Sequence, residues 1–386
     1  MTATASAYSK HLDSRSAADD LAGQVLKSLG APNVLIVFAS SQYDYTSVLE
    51  TLRARFPEAL LVGCSSAGEF STNCIGEGNI SVFGIRSDDM LFSSSIAEEI
   101  SSQPEAAAKT LLAGFRGFSE GTYRHRTALI LNDALAGSAD ELVHALNRQT
   151  GGKYKFFGGG AGDDAAFTRT HVFHGTRSAS NAVVALEILS TKPIGIGVRH
   201  GWKPASDPMR VTSASGSVVD SLDAVAASEV FERHAQESGQ SLDVKAPLPF
   251  FLHNIVGIKQ EDGFKLRVPL GIEPEGAVSF AAEIPLGSAV SIMCATSQSS
   301  AIAAREATED ALRQLDGNRA AGALMFDCVA TRLRLGKEFG KEVEAVRQAV
   351  GDVALAGCNT YGQVASAEGQ FTGFHNCTAV VCVFPE

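Results

Sequence analysis

Three times along this chain an apolar strand runs directly into a glycine-rich turn. The segments are residues 60–69 (LLVGCSSAGE), 156–164 (FFGGGAGDD) and 355–363 (LAGCNTYGQ). Glycine at the end of a strand permits positive φ and lets a second backbone or a ligand approach closely. Three such strand ends in one chain predict a single ligand site that is assembled from repeated units.

Each glycine turn belongs to a longer unit with the order strand, helix, strand, turn, strand. The first strand and the helix of the three units are predicted at 34–39 and 47–56, at 127–131 and 138–150, and at 323–329 and 337–350. The strand at 34–39 is a continuous apolar run, as expected for a strand covered on both faces. The fold class is therefore α/β, with repeated β-α-β-β units forming mixed sheets flanked by helices, in two modules.

Length and composition favour a globular protein of about two domains. The chain has 386 residues, of which 45% are hydrophobic and 19% charged. Residues 1–25 are polar and small at their start and are predicted to be a mobile tail. The stretch 211–217 is the most linker-like, which places a domain boundary between residues 215 and 216.

Charge and hydropathy narrow the class of partner. A net charge of −11 argues against nucleic acid or an anionic membrane as the main partner, and the basic run at residues 124–126 is too short to reverse that. The start of the chain lacks the apolar segment of an export signal, and no apolar run is long enough to span a membrane. The sequence thus predicts a cytoplasmic protein whose ligand is a small molecule.

Four motifs in this order resemble the FIST family. They are the three glycine turns and the closing segment 373–380 (GFHNCTAV), and the stretch 198–204 (VRHGWKP) is similar to a further family feature. The resemblance runs from about residue 30 to the C-terminus. It implies a FIST N-terminal domain over residues 26–215 and a FIST C-terminal domain over residues 216–386. Gln363 departs from the glutamate that the family usually has in its third turn.

The resemblance implies a sensory protein for small ligands, with amino acids often proposed. Some members are haem-binding nitric-oxide sensors of the NosP type, which act on a separate histidine kinase. The chain carries no fused kinase or receptor domain, so its signalling partner is expected to be a separate protein. Because some members bind haem, haem is a possible cofactor. An axial ligand needs a neutral imidazole beside an apolar slot, and His200 has the best surroundings for that role, although a hydrogen-bonded structural histidine is the alternative.

We expect the ligand-binding residues to come from the glycine turns and the closing segment. They are Gly63, Cys64, Ser65, Ser66, Gly68, Glu69, Gly159, Gly160, Gly162, Asp163, Asn359, Thr360, Tyr361, Gly362, His375 and Asn376. The carboxylates of Asp163 and Glu69 suit a cationic group such as a ligand ammonium. Local capping of the backbone is the alternative role for Asp163.

An enzyme is the rival hypothesis, namely a cysteine- or carboxylate-based hydrolase of a small polar substrate. Cys64 and Cys358 each follow a glycine at a strand end, where a nucleophile could be exposed. A catalytic cysteine also needs a base, and no histidine lies close in sequence to either. The hydrolase motif G-x-S-x-G is missing as well, so the sequence favours binding over catalysis.

Overall fold

A computed structural model of the protein describes residues 1–261, 263–366 and 373–386. In residues 1–132 the elements are β1 (Thr2–Ser9), α1 (Ser14–Ser28), β2 (Val34–Ala39), α2 (Tyr45–Arg55), β3 (Leu60–Ser65), β4 (Glu69–Ser71), β5 (Cys74–Gly76), β6 (Ile80–Ser87), β7 (Met90–Glu98), α3 (Pro104–Ala113) and β8 (His125–Asn132).

The middle of the chain adds a helix and a run of strands. They are α4 (Ala139–Thr150), β9 (Lys155–Gly160), β10 (Val172–His174), β11 (Arg177–Ala179), β12 (Ala182–Ser190), β13 (Gly195–Arg199), β14 (Lys203–Pro204), β15 (Met209–Ser215), β16 (Val218–Leu222) and β17 (Val225–Ala226).

The remainder of the chain contains the other helices and strands. They are α5 (Ala227–Glu237), α6 (Leu248–Phe251), β18 (Ile255–Gln260), β19 (Gly263–Arg267), β20 (Pro269–Ile272), β21 (Val278–Phe280), β22 (Ala289–Cys294), α7 (Ser297–Arg313), β23 (Ala320–Cys328), α8 (Val329–Leu335), α9 (Gly340–Val350), β24 (Ala354–Thr360), β25 (Gln363–Ser366), β26 (Gly373–His375) and β27 (Ala379–Pro385).

The first unit shows why these segments form these elements. All six residues of β2 are buried, which matches its unbroken apolar sequence. Helix α2 begins where the Asp44 side chain accepts a hydrogen bond from the backbone N–H of Thr46 (3.1 Å), and it ends at Arg55, two residues before Pro57. The chain then returns as β3, which pairs in parallel with β2.

The described residues form three six-stranded mixed sheets and one nine-stranded sheet. The six-stranded orders are β1-β6-β2-β3-β10-β11, β26-β25-β9-β8-β12-β7 and β13-β27-β23-β24-β4-β5. Each has a parallel pair at its centre, contributed by one repeated unit. The nine-stranded sheet is built from strands between residues 203 and 294. These mixed sheets with flanking helices confirm the predicted α/β class.

The three six-stranded sheets exchange hairpins in a cycle. Hairpin β4-β5, after the first glycine turn, joins the sheet of the third unit. Hairpin β10-β11, after the second turn, joins the first sheet, and β25-β26, after the third turn, joins the second. Each turn therefore crosses from one sheet to the next. The inner faces share one core, in which the rings of Phe38 and Phe157 both contact Phe326.

Two sequence expectations are corrected by this arrangement. Residues 1–25, expected to be a mobile tail, form β1 and most of α1, because β1 pairs with β6 over its whole length and buries small side chains such as Ala5 and Ala7. The expected linker 211–217 is mostly strand β15. The boundary at 215/216 falls in the tight turn between β15 and β16, which are paired.

None of the helices within the described part of the chain combines the length and the apolar character that crossing a membrane requires.

Candidate functional site

The three glycine turns meet at one junction. A backbone N–H···O bond joins each pair of turns: Ala67 to Asn359 (3.0 Å), Gly162 to Ser65 (2.9 Å) and Gly160 to Gly362 (2.9 Å). The cyclic exchange of hairpins explains this meeting, because each turn passes between two sheets that surround the same core. The prediction that the turns lie close together is therefore confirmed.

The glycines at the junction allow one backbone to approach another. A Cβ atom on Gly162 would lie 2.8 Å from the Cβ of Ala67, and one on Gly68 would lie 2.7 Å from Oδ1 of Asn359. Gly362 has a φ of 109° and would place a Cβ 2.0 Å from the Phe374 ring. These separations are shorter than packed atoms tolerate. The protein itself occupies the space beside these glycines.

Asp163 is saturated by protein donors. Its Oδ1 accepts from the backbone N–H of Phe167 (2.8 Å) and from the hydroxyl of Tyr361. Its Oδ2 accepts from the backbone N–H groups of Thr168 (2.7 Å) and Arg169 (2.8 Å) and from the Thr168 hydroxyl. Burial would raise the pKa of Asp163, but these hydrogen bonds outweigh it and hold the pKa below its ordinary value. This geometry matches the capping alternative.

Glu69 is buried on the other side of the junction. Its Oε1 accepts from the Ser66 hydroxyl (2.5 Å) and its Oε2 from the backbone N–H of Asn79 (2.9 Å). Burial raises the pKa of Glu69 to about 8, against the lowering effect of these two bonds. A carboxyl that holds its proton at neutral pH is poorly suited to attract a cation.

Cys64 and Cys358 lie in the shared core and contact each other. Both are fully buried. Burial, followed by the neighbouring Cys64 thiol, raises the pKa of Cys358. Thiols in such surroundings are unreactive.

His200 uses both ring nitrogens in hydrogen bonds. Nε2 bonds to the carbonyl oxygen of Phe264 (3.0 Å), and Nδ1 accepts from the backbone N–H of Trp202 (3.3 Å). The cavity beside it measures about 10 Å³, roughly the space of a single water. As placed, His200 does not fit an axial haem ligand. Its contacts favour the structural alternative.

The junction opens on one side into an apolar cleft of about 130 Å³. It lies between the second and third turns, helices α6 and α8, and the nine-stranded sheet. Its lining consists of Ala134, Leu135, Phe167, Leu248, Leu252, Val268, Leu270, Ala281, Cys328, Val329, Ala330, Leu333, Tyr361 and Asn376. Among the predicted site residues within the described chain, Tyr361 and Asn376 line this cleft. The others lie behind it in the junction or in neighbouring buried strands, and His375 pairs with Gln363 in hairpin β25-β26.

One wall of the cleft is a pair of stacked aromatic rings. The Phe167 and Tyr361 centroids are 4.5 Å apart with an interplanar angle of 21°. Phe167 sits in a loop where it, Asp164 and Ala165 all have positive φ. Such conformations are costly for residues other than glycine and cluster at ligand sites and switches. The Asp163 carboxylate compensates by accepting hydrogen bonds from this loop.

Besides Tyr361, two polar side chains line the otherwise apolar cleft. Oδ1 of Asn376 has no hydrogen-bond partner among the described residues, and the side chain is only 2% exposed. Such an atom is expected to find a partner, because burying it unpaired costs free energy. The second group is the Cys328 thiol, whose pKa is lowered to about 7, mainly by a hydrogen bond from Cys377.

Sequence reasoning missed most of the cleft. Phe167, Leu135, Leu270 and Leu333 form much of its rim and are at least 40% exposed. An isolated phenylalanine in the polar stretch 163–170 was the available signal. Cys328 was not among the predicted site residues, since nothing in its sequence neighbourhood indicates Cys377 or the cleft.

The fold defines an α/β protein of repeated units, with an apolar cleft beside the junction where their turns meet. Two family models match in succession, the FIST N domain over residues 33–225 and the FIST C domain over residues 227–366. The chain belongs to the FIST family, whose domains are known as sensors of small ligands in signalling.

Comparison with curated proteins finds no match. Among solved structures, cyanuric acid hydrolase from A. caulinodans aligns over 99% of both chains, with 9% identity and a TM-score of 0.35. PurL of T. maritima complexed with AMPPCP aligns over 99% of this chain and 72% of its own, with 14% identity and a TM-score of 0.23. Likeness at this level carries no argument about function.

Proposed function

We propose that this chain is a cytoplasmic FIST sensor that binds a small neutral ligand in the apolar cleft and signals through a separate protein, such as a histidine kinase. The observation that carries the proposal is the cleft itself. It joins an aromatic wall, an unpaired buried amide oxygen and a strained loop between the second and the third unit. A concave apolar pocket with few polar groups is the usual form of a small-molecule site.

The cleft suggests the chemistry of the ligand. Its volume of about 130 Å³ is close to the ~150 Å³ of an engineered cavity that binds benzene. None of the described residues that line it is an aspartate, glutamate, lysine, arginine or histidine. The proposed ligand is therefore a compact, mainly apolar and uncharged molecule of ring size.

The two ligands suggested by the family resemblance fit this cleft less well. A zwitterionic amino acid would bring a carboxylate into a cleft whose described lining holds no cationic residue, and burying an unpaired charge is costly. Haem is far larger than benzene, and the Nε2 of His200 would have to release the Phe264 carbonyl to bind iron. A hydrolase based on Cys64, Cys358, Asp163 or Glu69 is also disfavoured, because those side chains are buried.

Signalling is proposed to act through the loop that carries Phe167. A ligand that packs against Tyr361 competes with, or adds to, the Phe167 stack, and so changes the relative stability of two loop conformations. A ligand shifts such an equilibrium by its difference in affinity for the two conformations. Residues 166–169 are exposed and could present that change to a partner.

The test is a thermal-shift screen with phenol, indole, free amino acids and haem. A ligand that binds only the folded state stabilises it by about 1.4 kcal/mol at ten times its Kd. Phenol or indole should raise the Tm of the wild type and of the control Phe118→Ala, but not that of Phe167→Ala. Phe118 and Phe167 have similar exposure (51% and 45%), but Phe118 does not line the cleft.

Stabilisation by amino acids alone, or an unchanged response in Phe167→Ala, would refute the proposed ligand chemistry. A Soret band after incubation with haem would favour a haem sensor instead. Turnover of a small ester or amide that is lost in Cys64→Ala or Cys358→Ala would establish the hydrolase.

A further inference from the structure

A basic pocket lies at the opposite end of the second unit from the glycine turns. It occupies the space where the parallel strands β8 and β9 begin, about 17 Å along those strands from the junction at ~3.3 Å per residue. Its volume is about 170 Å³. The lining residues are Arg124, His125, Arg126, Thr127, Gly152, Lys153, Tyr154, Lys155 and Ile194.

The charge of this pocket is opposite to that of the chain. Two arginines, two lysines and a histidine line it, and no lining residue is acidic, whereas the whole chain carries a net charge of −11. Cations gathered around a concave surface repel one another and focus a positive potential on the space between them. An anion in that space would remove the repulsion.

The four full cations are not neutralised by the protein. Arg124, Arg126, Lys153 and Lys155 take part in none of the ion pairs found among the described residues. Nε of Arg126 donates to the Gly117 carbonyl (3.0 Å) and Nζ of Lys155 to the side-chain carbonyl of Gln314 (3.2 Å), both of which are neutral acceptors. Their charge therefore remains available to a ligand.

The carboxylate of Glu187, which lies behind Tyr154 of the lining, is already engaged. Glu187 is fully buried under Tyr154, whose hydroxyl donates to it (2.5 Å). The same carboxylate also accepts from the Ser93 hydroxyl and from the backbone N–H groups of Arg116 and Gly117. Glu187 is not part of the pocket lining.

The pKa of His125 responds to the positive potential in the pocket. The pKa of its imidazole is lowered first by partial burial and then by Lys155 and Arg124. The imidazole is thus disfavoured in its charged form by the same cations that an anion would contact.

We propose that this pocket binds a compact multivalent oxyanion of the pyrophosphate kind, as a ligand site separate from the apolar cleft. Guanidinium groups contact phosphate oxygens through two parallel N–H donors, and lysine adds a mobile point charge. The pocket offers two of each on the strand ends and the adjoining loops. The proposal is independent of what the cleft binds.

Isothermal titration with pyrophosphate at low ionic strength tests the site, because salt screens such contacts. Arg124→Ala and Lys153→Ala each remove one exposed cation from the pocket, and Lys109→Ala removes an exposed cation from α3 as a matched control. Each pocket variant should bind about tenfold more weakly, since a charge-assisted hydrogen bond is lost. Lys109→Ala should bind like the wild type, and unfolding without ligand should be unchanged in all three.

A second measurement follows His125 directly by NMR, with its signal assigned by His125→Asn. Bound pyrophosphate should move the imidazole titration to higher pH. No binding at millimolar pyrophosphate, equal weakening in Lys109→Ala, or an unmoved His125 titration would each overturn the site. Tighter binding of citrate than of pyrophosphate would overturn the phosphate class.

Discussion

The hydroxyl of Tyr361 donates a hydrogen bond to the Asp163 carboxylate, and the backbone N–H of Asp163 bonds back to the same hydroxyl (3.2 Å). The two residues come from the third and the second glycine turn. Their reciprocal contact holds the Tyr361 ring where Phe167 stacks on it. A carboxylate in the junction thus positions the aromatic wall of the cleft.

Replacing Asp163 with Asn should destabilise the protein by about 2–4 kcal/mol at pH 7. Three backbone N–H groups and two hydroxyls then face an amide that can accept from fewer of them, and hydrogen bonds to a charged group contribute about 1.5–3 kcal/mol each. Urea unfolding at pH 7 measures the loss. Equal stability of Asp163→Asn and wild type would contradict the capping role.

The stability of Asp163→Asn should fall less than that of the wild type as the pH is lowered. The folded-state pKa of Asp163 lies below its ordinary value of 3.8. Its stabilising contribution is therefore complete above pH 3.8 and is lost as the pH falls through the lower folded-state pKa. The difference in Tm between wild type and Asp163→Asn should shrink below about pH 4.

The contribution of Glu69 to stability should depend on pH in the opposite sense to that of Asp163. Its pKa is about 8 in the folded state and 4.5 ordinarily, so its stabilising contribution is complete below pH 4.5 and is lost as the pH rises toward 8. The slope from one group is at most about 1.4 kcal/mol per pH unit. Glu69→Gln should therefore lose less stability than the wild type between pH 5 and 8. Glu50→Gln, an exposed change on α2, should follow the wild type.

The glycines of the junction should tolerate substitution in a defined order. Gly362→Val, with Phe374 in the way, should cost about 2–5 kcal/mol, combining strain at positive φ with overpacking. Gly68→Val should cost less, because the nearest obstacle is the Asn359 side chain. Gly137 also has positive φ but no atom near its Cβ position, and Gly137→Val serves as the control for strain alone. Equal losses at all three positions would contradict the packing argument.

Cys328 should be the most reactive of the buried cysteines. Its pKa of about 7 provides thiolate at neutral pH, and it lines the cleft. Alkylation by iodoacetamide, followed by mass spectrometry, should be half-maximal near pH 7 at Cys328 and slower at Cys358 and Cys382, whose pKa values burial raises. Faster labelling of Cys382 than of Cys328 would refute this assignment.

Much of the fold could be predicted because the sequence patterns that indicate it, short apolar runs and glycine turns, are local. The run 34–39 became β2 as expected, since a short unbroken apolar run rich in β-branched residues favours a strand covered on both faces. The three glycine turns were recognised, and so was their convergence, from their equivalent places in repeated units. The family assignment rested on those same short motifs.

The role of residues 1–25 could not be predicted in the same way. The sequence of β1 alternates small residues, which is compatible with a solvated tail. It is buried because β6 offers a free edge and because Thr4 packs against Gly322, where a Cβ atom would collide with the Thr4 hydroxyl. Such an edge exists only after the rest of the sheet has formed.

Local sequence determined the strands, the helices, the three turns and the family of this protein, because periodicity and glycine conformation act over a few residues. Tertiary structure decided what each turn residue does. Whether Asp163 meets a ligand or a loop depends on Phe167 and Tyr361, the latter nearly 200 residues away, and the cleft is assembled from segments between Ala134 and Asn376. Contacts between such distant segments leave no local pattern in a single sequence.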